Sequence, residues 1–105
     1  MTADISDAVR RACGIRLAIF DVDGVLTDGR LYFDDDGRQY KAFHSQDGQG
    51  LRMLMESGVR VGILTGRRSG VVEHRMRDLG IDLVIQGHRD KLPAFIAMME
   101  EAGMT

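Results

Sequence analysis

Short, continuous apolar runs alternate along this chain with longer stretches in which apolar residues recur every three or four positions. The first kind predicts buried strands and the second amphipathic helices. Ile15-Arg-Leu-Ala-Ile-Phe20 has five apolar residues in six and breaks at once into Asp21-Val-Asp-Gly24. Its pattern predicts a strand over Arg16–Phe20 ending in turn chemistry. Val59–Leu64 and Leu83–Ile85 are the other two runs, the former stopping at Thr65-Gly66-Arg67. Between them fall the helical stripes Leu51, Leu54 and Met55, with Asp47-Gly48 as the expected cap, and Val72, Met76 and Leu79, over roughly Gly70–Leu79. Gly58 and Gly80 close these helices. A leading helix over 5–13 carries Ile5, Ala8, Val9 and Ala12. A final one opens near Pro93 and carries Leu92, Phe95, Ile96 and Met99 on one face. Arg30–Phe33 and Arg38–Phe43 flank Asp34-Asp-Asp-Gly37 and predict a projecting β-hairpin over about 29–43. Strands alternating with helices predict an α/β fold with a parallel sheet and right-handed crossovers.

Composition narrows the picture. A chain of 105 residues is one small domain with a modest core, and 44% hydrophobic with 29% charged residues is ordinary for a globular protein. The net charge of −2 and the lack of a basic tract argue against a nucleic-acid partner. No apolar leader opens the chain, and no run approaches the roughly 18 apolar residues of a membrane span. With a single cysteine, Cys13, the expected compartment is the cytoplasm. The cations are 12 arginines against two lysines, Lys41 and Lys91. Where arginine is the default, a lysine can answer a demand for a compact point charge, or arise by chance.

The chemistry lies at the strand ends. Asp21 and Asp23, one residue apart, share a side of an extended chain and crowd each other, which a divalent cation with a phosphate relieves. Thr65 and Lys91 follow later strands, and in a parallel sheet these ends share one edge. There Asp21 can attack phosphorus, and Asp23 can protonate a leaving oxygen and activate water. Thr65 and the N–H groups after it can bind phosphoryl oxygens, and Lys91 can neutralise charge. A magnesium ion would bridge carboxylate and phosphate. Taken singly, each motif reads as a turn, a loop or a solvated charge; their order along the strands raises the chemical reading. Arg67, Arg68 and Ser69 lie beside Thr65 and read equally as contacts for a substrate's anionic group or as a solvated surface arginine pair with its neighbour. His44, His74 and His88 lack metal spacing, and Met53, Met55, Met76, Met98 and Met99 read as core or interface filler.

Phe20-Asp-Val-Asp-Gly-Val-Leu-Thr27 resembles the first motif of the haloacid dehalogenase-like phosphatases, Ile63-Leu-Thr-Gly-Arg67 is similar to their second, and Lys91 fits the third. More narrowly, Asp21–Gly29, Phe43–Gly50, Thr65–Ser69 and Gln86–Lys91 resemble the 3-deoxy-D-manno-octulosonate 8-phosphate phosphatases. The resemblance implies a capless, Rossmann-like sheet with helices on both faces and a magnesium-dependent phosphomonoesterase acting on a small phosphorylated sugar acid of lipopolysaccharide biosynthesis. It implies Asp21 as nucleophile, Asp23 as general acid/base, Thr65 as phosphate ligand and Lys91 as charge stabiliser. The metal would be held by the Asp21 side chain and the Asp23 carbonyl, and Asp23, Thr65, Gly66, Arg67 and Lys91 would bind substrate. It further implies a homotetramer in which the hairpin packs on neighbours. A dehalogenase has no use for the second aspartate, since halide leaves unprotonated, so Asp23 favours phosphoryl chemistry. No acidic pair of the family's fourth motif follows Lys91. The expected fold therefore lacks the family's C-terminal strand or strands, as a fragment or as a shortened relative. Two other readings stand beside the phosphatase: an impaired module with an oligomerisation or regulatory role, and a receiver-like phospho-acceptor, which the Asp-x-Asp-Gly spacing fits less well.

Overall fold

The structure is a computed structural model describing residues 2–104. In chain order the elements are α1 (Thr2–Cys13), β1 (Leu17–Phe20), β2 (Tyr32–Phe33), β3 (Gln39–Tyr40), α2 (Ser45–Glu56), β4 (Arg60–Thr65), α3 (Gly70–Leu79), β5 (Leu83–Gln86) and α4 (Lys91–Glu101). Three strands form a parallel sheet in the order β1-β4-β5, with Phe20 beside Ile63 and Thr65 beside Gln86. Central β4 is buried at every position after Arg60, which is why its sequence is a continuous apolar run and not an alternation.

Helices cover both faces. On one, α2 and α3 bring Leu51, Val72, Met76 and Leu79 onto Val61 and Ile63, joined by Val22 and Leu26 from the loop after β1. On the other, Ala94 and Met98 of α4 close over Leu64 and Leu83. Gly62 makes that closure possible: a Cβ there would lie 2.6 Å from the Met98 sulfur and 3.2 Å from Leu83 Cδ2. A glycine inside a strand often marks such a close approach of a neighbouring element.

The architecture and α3 follow the pattern of the sequence, but several local expectations change. Thr65 is the last residue of β4, not a loop residue beyond it. The hairpin pairs over only two residues per strand, Tyr32 with Tyr40 and Phe33 with Gln39. Its turn is held instead by Asp34, whose carboxylate accepts from the Asp36 and Arg38 N–H groups at 3.0 and 2.8 Å. The cap of α2 is His44, whose Nδ1 accepts from Gln46 N at 3.1 Å, while Asp47 lies in the first turn, facing the positive end of the helix dipole.

The inward face of α4 is Ala94 and Met98, not the expected stripe. Leu92, Phe95 and Ile96 are exposed and Met99 is half-buried. The small Ala94 and the gap at Gly62 let α4 settle directly on β4 and β5, which turns the bulkier stripe aside. Phe95 and Met99 then line an open apolar groove with Ile15, Leu17 and Ile19 along the unpaired edge of β1. Ile5 and Val9 of α1 are likewise exposed. Among the described residues, no helix is long and apolar enough to cross a membrane.

Candidate active site

The loop leaving β1 turns on one buried residue. Val22 is fully enclosed, and its carbonyl accepts from Val25, Leu26 and Thr27 N at 3.2, 2.9 and 3.2 Å. With Val22 pointing into the core, the neighbouring Asp21 and Asp23 are directed to the opposite side, at the carboxyl edge of the sheet. The Thr27 hydroxyl oxygen accepts from Gly24 N at 3.2 Å and Gly29 N at 3.1 Å. Gly24 carries φ of +79°, a left-handed value that a side chain would strain.

Asp21 is held at both carboxylate oxygens. Oδ1 accepts from Val22 N at 2.7 Å, and Oδ2 accepts from Lys91 Nζ at 2.8 Å. Lys91 reaches it from the first turn of α4, whose N-cap Asp90 accepts from Leu92 N at 3.4 Å. Burial alone would push the Asp21 carboxyl upward. The hydrogen bonds from Lys91 and Val22, the Lys91 charge and the Thr65 hydroxyl outweigh it and hold Asp21 below the ordinary value. Asp21 is therefore an anion across the neutral range. Because its folded value lies below the unfolded one, it contributes stability that is complete above the ordinary value of 3.8 and is lost as the pH falls through the lowered folded value. The Asp21 and Lys91 side chains are 36% and 49% exposed, so the effect is small. A slight deficit of Asp21→Asn in urea midpoint at about pH 6 should shrink progressively as the pH is taken below the ordinary carboxyl value of 3.8.

Asp23 has different partners. Lys41 Nζ lies 2.6 Å from its Oδ1, and Arg67 Nε stands 3.8 Å from Oδ2. Thr65 is buried with its hydroxyl beside Asp21, and its hydroxyl oxygen accepts from Arg67 N at 3.4 Å. Gly66 continues the loop with only the His88 carbonyl near, 3.6 Å from where a Cβ would stand. Arg68 turns away toward the Gln86 carbonyl at 3.5 Å and Ser69 is buried, so Arg67 is the member of that trio left at the strand ends.

The four expected residues thus fall at one edge, Asp21 with Thr65 and Lys91, Asp23 beside them. Two contributors escaped the sequence reading of the site. Lys41 was visible only as one of two lysines. Gln86, at the end of β5, accepts from Ser69 N at 2.8 Å through Oε1 and so ties down the loop after Thr65; its signal was a polar residue closing an apolar run.

The donors fit a magnesium ion in kind. Asp21 supplies a hard anionic oxygen and Asp23 a backbone carbonyl, and magnesium commonly binds through one or two carboxylates, with waters and substrate phosphate completing its shell. Among the described residues no cluster of three or more His, Cys, Asp or Glu side chains adds a further ligand.

An Asp-x-Asp loop after the first strand, a threonine ending the next and a lysine after the third meet at one edge of a parallel sheet, and the class of the fold is haloacid dehalogenase-like. A hydrolase of that superfamily from Legionella pneumophila superposes with a TM-score of 0.91 at 39% identity, over 99% of this chain and 57% of its own. The chain is homologous, more particularly, to the 3-deoxy-D-manno-octulosonate 8-phosphate phosphatases. The enzyme of that name from Haemophilus influenzae is 45% identical over 91 residues, 87% of this chain and 51% of its own length. One from Moraxella catarrhalis, solved with magnesium, phosphate and KDO, matches with a TM-score of 0.82 at 43% identity, over 87% of this chain and 52% of its own. The chain spans about half the length of these relatives. No protein-family profile matches it.

Proposed function

We propose that this chain carries the catalytic half-site of a magnesium-dependent phosphomonoesterase for a small phosphorylated sugar acid, of the 3-deoxy-D-manno-octulosonate 8-phosphate class. The observation that carries the reading is Asp21, an ionised carboxylate at the sheet edge, held by Lys91 and Val22 N–H. In the first step a carboxylate oxygen of Asp21 attacks phosphorus as the bond to the sugar oxygen breaks, and Asp23 delivers its proton to that oxygen. In the second, Asp23 takes a proton from the water that attacks the aspartyl phosphate, the bond to Asp21 breaks, and phosphate leaves. Thr65 and the N–H groups after it donate to the phosphoryl oxygens, and Lys91 offsets the accumulated negative charge. Magnesium, held by the Asp21 side chain and the Asp23 carbonyl, would supply Lewis-acid charge at the phosphate. Arg67 is placed to meet the sugar's carboxylate once Asp23 is engaged elsewhere.

The chain is best read as one domain working in the cytoplasm, where its exposed free thiol, Cys13, would stay reduced. The hairpin leaves Leu31, Tyr32, Phe33 and Tyr40 exposed together, which supports assembly of several copies through it, a tetramer by likeness to the family. Sedimentation equilibrium should give a multimer that Phe33→Asp dissociates; an unchanged mass would remove the hairpin from the interface.

Phosphate release from a panel of sugar phosphates, with and without magnesium, tests the main reading. The second reading, an assembly or regulatory module without turnover, is favoured by the lack of a third clustered carboxylate among the described residues. A folded sample inert toward the whole panel would select it.

A further inference from the structure

We infer that Lys41 is a positioning residue for Asp23. It couples the seating of the hairpin to the direction in which the acid/base carboxyl points. The inference rests on the phosphatase reading for its consequence, but its geometry stands apart from it.

Lys41 directly follows β3, 18 residues from Asp23, yet its side chain is only 3% exposed and its ammonium lies 2.6 Å from Asp23 Oδ1. A lysine that gives up its water so completely requires a partner, and one charge-assisted bond at this length is a strong one. The other cation facing Asp23 is Arg67, whose Nε is 3.8 Å from Oδ2, too far to hold it by a hydrogen bond. The two oxygens are thereby made unequal. Oδ1 is committed to Lys41. Oδ2, with no donor among the described residues in hydrogen-bonding reach, is the oxygen on which a proton can arrive and from which it can leave. A carboxyl protonated at Oδ2 still accepts at Oδ1, so the Lys41 bond can persist through both halves of the proposed reaction. Asp23 need not reorient between giving a proton and taking one.

The same bond anchors the hairpin. Its two strands pair over two residues each and its aromatic residues face outward, so the link from Lys41 to the Asp21–Gly29 loop is a principal tie to the sheet edge. Displacing the hairpin would pull the ammonium off Asp23.

Lys41→Met in the full chain removes the charge and the donor while retaining most of the buried stem. With magnesium present, turnover of an alkyl phosphate, whose leaving oxygen needs a proton, should fall about 10- to 100-fold, and that of p-nitrophenyl phosphate less than about threefold. Equal losses on the two substrates would mean a merely structural lysine and would overturn the inference. Were the unsubstituted chain inert toward both, the phosphatase reading would fail instead, and the clamp would be decided by nitrogen-15 NMR of the lysine ammonium groups. The expected result is a slowly exchanging ammonium signal that both Lys41→Met and Asp23→Asn abolish. A chain without that signal, or one that keeps it in Asp23→Asn, overturns the pairing.

Discussion

Asp21→Asn should reduce phosphate release by at least about 10⁴-fold, to the level of the background, while the protein stays folded. An amide oxygen cannot form a stable aspartyl phosphate, so the change removes the bond-forming atom itself and not one of its helpers. The fold tolerates it because the local geometry is nearly preserved. Asn can still accept from Val22 N, and Lys91, already half exposed, recovers its hydration when its anionic partner is gone. Circular dichroism and urea unfolding at neutral pH should therefore look almost native. The decisive measurement is phosphate release on the best substrate of the panel, with and without magnesium. Activity surviving in Asp21→Asn would eliminate the phospho-aspartate route. Lost activity in a sample that had also unfolded would call for Asp21→Glu, which keeps the charge but displaces the attacking oxygen.

Gly62→Val should destabilise the chain by about 1–3 kcal/mol, and the effect should trace to Met98. Valine is favoured in a strand on intrinsic grounds, so propensity alone predicts a gain. Packing reverses the sign. Even a methyl at Gly62 would lie 2.6 Å from the sulfur of fully buried Met98 and 3.2 Å from Leu83, and α4 would have to lift off the sheet to make room. That movement also draws Lys91, at the start of α4, away from Asp21. For a domain of this size each kcal/mol lowers the thermal midpoint by roughly 4–8 °C. Met98→Ala alone should cost about 2–5 kcal/mol through the cavity it leaves. The double variant Gly62→Ala with Met98→Ala should fall well short of the sum of the two, since each makes the space or the volume that the other lacks. Additive losses would show that the contact does not govern how α4 is seated.

The proposed activity depends on residues far apart in the chain meeting at one edge. Asp21 and Lys91 are 70 positions apart and joined at 2.8 Å. The sheet achieves this by ending β4 and β5 in register, Thr65 beside Gln86, with β1 ending at Phe20 beside Ile63, so that the loop after it emerges at the same edge. Loops leaving that edge then need only a few residues to bring carboxylate, hydroxyl and ammonium together. The relatives are about twice as long as this chain, and one was solved with magnesium, phosphate and KDO. Whether this half-site turns over unaided is what the phosphate-release measurement decides.

Sequence alone determined whatever depends on neighbours a few positions apart. Continuous apolar runs marked the three parallel strands and the helical period marked α3, because burial on both faces of a sheet or on one face of a helix imposes each pattern locally. That Asp21, Asp23, Thr65 and Lys91 would gather at one sheet edge was legible because a polar group closing or following an apolar run in a parallel sheet has one place to go. The tertiary structure decided the rest, and in each case the reason is a partner distant in the chain. Lys41 became part of the site only when the hairpin folded onto the loop after β1. Gln86 gained its role by standing beside Thr65 in the sheet. The inward face of α4 could not be chosen from its own sequence, since Leu92, Phe95, Ile96 and Met99 form the more apolar stripe. The gap that selects Ala94 and Met98 instead belongs to Gly62, on another strand. A helix's period shows that it has a face to bury; the shape of the surface it meets determines which one.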